Sequence, residues 1–167
     1  LKNLLKKINT KTILIENKVL YTKKNNQKLL NGFEYLEVVY EQYSELIVKP
    51  EHQKKSDIVI ICYGEMLDEV EKVVEKLFIE EEIFSTIICL TKISKPNLKN
   101  YIEHLETDNI FVFEEGSDLG GFSSEVISIL AEENIIKNKN VSRLGNRNLI
   151  PCSKINESKV VPNDKTM

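Results

Sequence analysis

Three continuous apolar runs, DIVIIC (57–62), STIICL (85–90) and IFVF (110–113), recur along the chain with helical patterns between them. A run without alternation suits a strand covered on both faces, the situation of a parallel strand in an α/β sheet. A weaker run, VSRL, follows at 141–144. After the first run, Met66, Leu67, Val70, Val73, Val74, Leu77 and Phe78 return at three- and four-residue steps with charges in most gaps. That spacing predicts a helix with one stripe toward a core and one toward water. NLKNYIEHLE (97–106) places Leu98, Ile102 and Leu105 on one face after Pro96, a good first-turn residue. Phe122, Val126, Ile129 and Leu130 predict a third helix. Strand, helix and strand every ~30 residues is the size of a right-handed crossover unit. Three such units predict an open α/β sheet with helices on both faces.

The flanks extend this plan. KTILIE (11–16) reads as another strand with a helix before it, and Lys23 to Lys28 as a polar loop. YLEVVY (35–40) and ELIVK (45–49) are close enough to form a hairpin or to supply an antiparallel edge strand. After Arg143 the sequence loses its periodicity and reads as an extended tail lying over the domain. The chain begins with Leu1, and its first residues read as the middle of a helix, so it is expected to be a C-terminal fragment.

Composition narrows the function classes. A length of 167 residues and an apolar content of 41% suit one domain with one core. A net charge of −3 with both signs interspersed provides no basic stripe for nucleic acid. No apolar run approaches the ~20 residues that span a bilayer, and LKNLLKKINTK lacks the apolar region and cleavage site of a signal peptide. Cys62, Cys89 and Cys152 match no CxxC pattern, so neither a zinc site nor a disulfide framework is expected. A reduced, cytoplasmic setting is the expectation.

The stretch EEGSDLGGFSSE (114–125) sits between a strand pattern and a helix pattern, where a glycine cluster can cradle a phosphate. Its glycines, Gly116, Gly120 and Gly121, are spaced GxxxGG and not GxGxxG. The position where a dinucleotide's pyrophosphate approaches is Asp118, whose charge opposes it. No GKS or GKT follows for a P-loop. Gly120 and Gly121 are therefore expected to let a helix pack closely, a side chain at either pushing it off the sheet. Glu114 and Glu115 lie at the carboxyl end of a strand, where open α/β sheets place their sites. With no partner acid, histidine or metal ligand near them in sequence, they read as interface and solvent residues. His52 and His104 stand alone, without a nucleophile or ligand at a usable spacing. Cys62 and Cys89 read as small core residues and Cys152 as an exposed thiol. GxSxG is absent, so the serines of GFSSE form no nucleophile elbow. The residues present assemble no catalytic, cofactor or metal site.

Four stretches in order resemble the beta subunits of thiamine diphosphate-dependent 2-oxo acid dehydrogenases, in the transketolase superfamily. ILIENKVLY (13–21) is similar to the close of the pyrimidine-binding domain. SDIVIICYGEMLDEVEKV (56–73) is similar to the first crossover of the C-terminal domain, with Tyr63-Gly64 at its turn. IFVFEEGSDLGGFSSEV (110–126) resembles that domain's strand, Glu-Glu-Gly turn, Gly-Gly-Phe-Gly and helix. RLGNRNLIPCSKINESKVVPN (143–163) resembles the tail, with Ile150-Pro151 and Pro162-Asn163.

The resemblance implies a three-layer transketolase C-terminal-like domain with a mostly parallel five-stranded sheet and one antiparallel edge strand. Residues 1–33 would close the pyrimidine-binding domain, 34–145 form the C-terminal domain and 146–167 the tail. It implies that thiamine diphosphate and Mg2+ belong to the parent enzyme, held by the alpha subunit or domain, with none on this fragment. The activating glutamate would precede Leu1, and Glu16 is not that residue. Implied partners are the alpha subunit, a second beta subunit and the dihydrolipoyl acyltransferase core. Glu114, Glu115, Gly116, Gly120, Gly121 and Phe122 become structural and interface candidates. The alternatives are a transketolase or deoxyxylulose-phosphate synthase domain, against which ENKVLY and the Ile-Pro tail speak, and a non-catalytic interaction module. The sequence departs from the family at Ser123, in place of the fourth glycine, and at Lys6 to Thr10, where relatives that hold potassium have an acidic residue nearby. It also lacks the short helix that often follows the Pro-Asn pair.

Overall fold

The computed structural model describes residues 13–22, 30–40, 43–52, 55–93, 98–103 and 105–146, with Pro96 and parts of the tail (153, 156 and 159–165). Among them, β1 (Phe33–Tyr40), β2 (Tyr43–Pro50), β3 (Ile58–Tyr63), β4 (Ser85–Leu90), β5 (Asn109–Ser117) and β6 (Asn140–Asn146) form one mixed sheet. Its spatial order is β1-β2-β4-β3-β5-β6. β4, β3, β5 and β6 pair in parallel. β2 runs antiparallel to both β1 and β4.

The apolar runs are continuous because each strand feeds two cores. Val59 and Ile61 of β3, Ile88 and Leu90 of β4, and Ile110 and Val112 of β5 point to one face. Ile60 and Cys62, Ile87 and Cys89, and Phe113 point to the other. Helix α1 (Met66–Glu81) covers the second face with Met66, Leu67, Val70 and Val74. Helices α2 (Lys99–Ile102) and α3 (Phe122–Glu132) cover the first through Leu98, Tyr101, Ile102, Phe122, Val126 and Leu130. The result is a three-layer α/β sheet, as the alternation of patterns predicts.

Several expectations need correction. The sheet has six strands, not five, because both YLEVVY and ELIVK join it as a hairpin. β2 is an inner strand, with Ile47 and Val48 buried in opposite cores, which leaves β1 as the edge. KTILIE forms no strand over its described residues. Ile13 and Ile15 are 90% and 79% exposed, with no described strand beside them to pair with. The NLKNYIEHLE helix shrinks to the single turn of α2, which suffices to bury Leu98, Tyr101 and Ile102. The chain then turns through Glu106 (φ 42°), and the Leu105 carbonyl accepts the Ser56 N–H at 3.3 Å. Regular structure also persists past Arg143, since β6 runs on to Asn146. Further on, Asp164 reaches α1: its N–H donates to Glu69 Oε2 at 3.1 Å and its carboxylate meets Lys76 Nζ at 3.0 Å. Pro162 is buried beside these contacts in sequence.

Candidate functional site

The path of the chain marks one place on the sheet. From β3 it crosses to β4 on one side, then returns over β3 to β5 and on to β6 on the other. The connections after β3 and β5 thus leave in opposite directions, and the carboxyl ends of this pair form the switch point at which α/β sheets bind ligands. Tyr63-Gly64 ends β3, and Glu114, Glu115 and Gly116 lie at the end of β5. Gly64 sits at φ 60°, a left-handed turn that glycine adopts without strain.

A cleft of about 460 Å³ opens here, walled by the turn Tyr63–Glu65, by Leu90, Thr91 and Ile93 after β4, by Glu115, and by residues 15–18. Among the described residues its charged lining is Glu16, Glu65 and Glu115 against Lys18, a field that opposes a phosphate or diphosphate. Glu45 fixes the β4 side: its carboxylate accepts the Thr91 N–H, while the Thr91 hydroxyl donates to the Ser44 carbonyl at 2.8 Å. Burial pushes the Glu45 carboxyl up from its ordinary range. Tyr63 packs edge-to-face on Phe122, and its phenol is pushed up by burial and by the Glu114 and Glu115 charges.

Glu114 and Glu115, adjacent in sequence, part ways because neighbouring strand residues face opposite sides. Glu115 lines the cleft. Glu114 is 1% exposed, neither at an interface nor in water, contrary to expectation. Its Oε1 accepts the Ser123 N–H at 3.2 Å and also the Ser123 hydroxyl. Ser123 is the second residue of α3, whose N-cap is Gly121. A glycine cannot offer the side-chain oxygen that normally satisfies this N–H. Glu114 supplies it from β5 and places its charge at the positive end of the helix. The position an external anion would take at α3 is filled from within.

Glycines make room for that carboxylate. A Cβ at Gly121 would collide with the Ser117 carbonyl oxygen and Glu114 Oε2, and would lie 2.8 Å from Glu114 Cδ. A Cβ at Gly145 of β6 would lie 3.0 Å from Glu114 Cγ and 3.0 Å from the Asp118 nitrogen. One at Gly116 would make ordinary contact with Glu114 Oε2 at 3.4 Å. Gly120 differs from the expectation: nothing lies within 4 Å of its Cβ position, and its φ of 67° is what selects glycine there. Gly145 escaped the sequence reading. A glycine inside a strand signals a close approach, but VSRL was too weak a strand pattern to expose it.

The register shifts between Phe113 and Ser117, and the Asp118 N–H then returns to the Asn146 carbonyl at 3.3 Å. Leu119 projects from the loop, 81% exposed. Arg143 of β6 donates to the Ser124 hydroxyl beside it. Away from this edge, His52 is exposed in a turn at φ 61°. Cys62 and Cys89 are register partners on β3 and β4, buried and unbridged. Their thiol hydrogen bond, together with burial, holds Cys62 well above the ordinary thiol range. His104, Cys152 and the Ile150-Pro151 pair lie outside the described residues. Among the described residues no group of histidine, cysteine, aspartate and glutamate is placed to hold a metal, and no helix is long and apolar enough to cross a membrane.

A family profile described as transketolase, C-terminal domain, matches residues 48–154. The chain belongs to this family. Its matched span runs from the inner strand β2 past the Gly-Gly-Phe turn and β6. Among solved structures it is similar to a split gene transketolase described as an inactive beta4 tetramer, with a TM-score of 0.57 and 20% identity. That match covers 68% of this chain and 37% of the transketolase chain, so the residues here span well under half of that protein's length. A second match is a 2-oxoglutarate:ferredoxin oxidoreductase from Magnetococcus marinus, determined with 2-oxoglutarate, coenzyme A and succinyl-CoA bound. It has a TM-score of 0.43 and 14% identity, and covers 76% of this chain and 18% of that one. No curated protein matches the sequence.

Proposed function

We propose that the chain is the C-terminal, subunit-assembly part of a beta subunit from a thiamine diphosphate-dependent 2-oxo acid dehydrogenase. The parent would decarboxylate a 2-oxo acid oxidatively and pass the acyl group to a lipoyl arm. Glu114 carries this reading: its buried carboxylate occupies the N-terminus of α3, so an external anion has no place at that end of the sheet. The Glu-Glu-Gly and Gly-Gly-Phe residues then serve packing, and the chemistry resides elsewhere in the parent. Exposed Ile13, Ile15, Ile93 and Leu119 support a role in contact with other subunits, the alpha subunit and a second beta subunit among them. Ile13 and Ile15 also fit the close of a preceding pyrimidine-binding domain.

Thermal melting of the chain with thiamine diphosphate and Mg2+ tests the first part, and the expected result is no shift. A clear upward shift would place a cofactor site on these residues and overturn the reading. Assaying the assembled parent with 2-oxo acids and with ketose phosphates tests the second part. Turnover of ketose phosphates alone would make it a transketolase.

A further inference from the structure

β1 is the outermost strand at its end of the sheet, and no described strand lies beyond it. Alternate residues of an edge strand direct their N–H and C=O groups away from the sheet, where another strand can bond them. Protected edges are short, bulged, or carry proline or charged side chains, lysine above all. β1 runs eight residues, FEYLEVVY, contains no proline or lysine, and pairs with β2 in unbroken register from Phe33↔Pro50 to Tyr40↔Tyr43. Its two charges are Glu34, paired with Lys49 at 3.1 Å, and Glu37. It also leaves Leu36 37% and Val39 60% exposed, on opposite faces. The other edge, β6, adjoins an irregular register and carries Arg143 and Gly145.

We propose that β1 pairs antiparallel with β1 of a second copy of this chain, joining two sheets into one across a two-fold axis at Leu36. The register follows from parity and charge. Facing residues of an antiparallel pair share a side of the sheet, so the axis must pass through a residue and not between two. An axis at Leu36 aligns residues 33–39 with their own reverse. The Phe33 N–H is already donated to the Leu30 carbonyl at 3.2 Å, so the pairing rests chiefly on Tyr35 and Glu37. Leu36 then faces Leu36, Tyr35 faces Glu37, Glu34 faces Val38 and Phe33 faces Val39 of the second copy. No like charges oppose one another. An axis at Glu37 uses an equally long overlap but sets Glu37 against Glu37, which is destabilising. Axes at Tyr35 or Val38 shorten the overlap to residues 33–37 or 36–40. Pairing closes on itself with two copies, as an isologous contact does. The proposal does not depend on which enzyme the parent is.

Sedimentation velocity of the full chain over a concentration series tests it. The expected result is a monomer–dimer equilibrium, abolished in a folded Leu36→Lys variant, which places two ammonium groups on the axis. Cysteine scanning fixes the register in a Cys152→Ser background. Leu36→Cys should yield a covalent dimer under oxidised glutathione, because directly facing residues bring their Cα atoms within disulfide range. Glu34→Cys should yield none, since its twin lies about four residues further along the partner strand, beyond that range. A monomer at every concentration, open polymers, or a dimer that Leu36→Cys fails to cross-link would each overturn the proposal.

Discussion

Tyr63 at the end of β3 and Phe122 at the start of α3 meet edge-to-face, with ring centroids 4.6 Å apart and an interplanar angle of 66°. They belong to separate motifs, Tyr-Gly-Glu and Gly-Gly-Phe-Ser, and their contact bridges the two strands of the switch point. Phe122→Ala should cost about 3–5 kcal/mol, as loss of a buried aromatic does. A double-mutant cycle with Tyr63→Leu and Phe122→Leu should show a coupling of about 0.5–1.5 kcal/mol in urea unfolding. Additive effects would mean that the rings pack independently.

The Glu114 cap ranks the glycines of its loop. Gly121→Ala should destabilise by about 1–3 kcal/mol, because the new methyl meets the Ser117 carbonyl and the Glu114 carboxylate. Gly120→Ala should cost about 1–2 kcal/mol through backbone conformation alone, with open space around the methyl. Glu114→Ala should lose about 1–3 kcal/mol by stranding the Ser123 N–H and hydroxyl. Combining Glu114→Ala with Gly121→Ala should then cost less than the sum, since the smaller residue vacates part of the space the methyl needs. Equilibrium denaturation of the four variants reads all these values.

Glu45 makes stability depend on pH. Its folded state holds the proton more tightly than the unfolded chain does, because burial disfavours the charge. The stability it contributes is therefore complete below the unfolded carboxyl range and is lost as pH rises through the raised folded value. Glu45→Gln keeps an acceptor for the Thr91 N–H and cannot ionise. Thermal melts should show this variant gaining on the parent from acid toward neutral pH, and a constant difference would refute the assignment.

The buried thiols should be silent in the native protein. Cys62 and Cys89 lie under α1 on adjoining strands, and Cys62 is held away from its reactive thiolate. A chromogenic disulfide reagent at neutral pH should leave both unmodified until denaturant is added. Their prompt reaction in buffer would mean that the α1 face opens readily.

The layers of the fold were legible in the sequence because period is a local property. DIVIIC and STIICL announce strands covered on both faces, and the stripe of Met66, Val70 and Val74 announces the helix over one of them. Length was harder to read where packing sets it. Leu98, Tyr101 and Ile102 satisfy the core within one turn, so the pattern around them overstates the helix. The exposed Ile13 and Ile15 carry strand-forming residues, yet a strand requires a neighbour, and periodicity alone supplies none.

The site divides in the same way. The spacing Gly116, Gly120, Gly121 and the charge at Asp118 argue against a nucleotide loop from the order of residues alone. That Glu114 caps α3, that Gly121 yields space to it while Gly120 serves a turn, and that Gly145 leaves room for it from β6 required the assembled sheet. Most of those contacts span only a few residues of one loop, yet whether a side chain is cap, wall or solvent-facing depends on how β5, α3 and β6 pack around it.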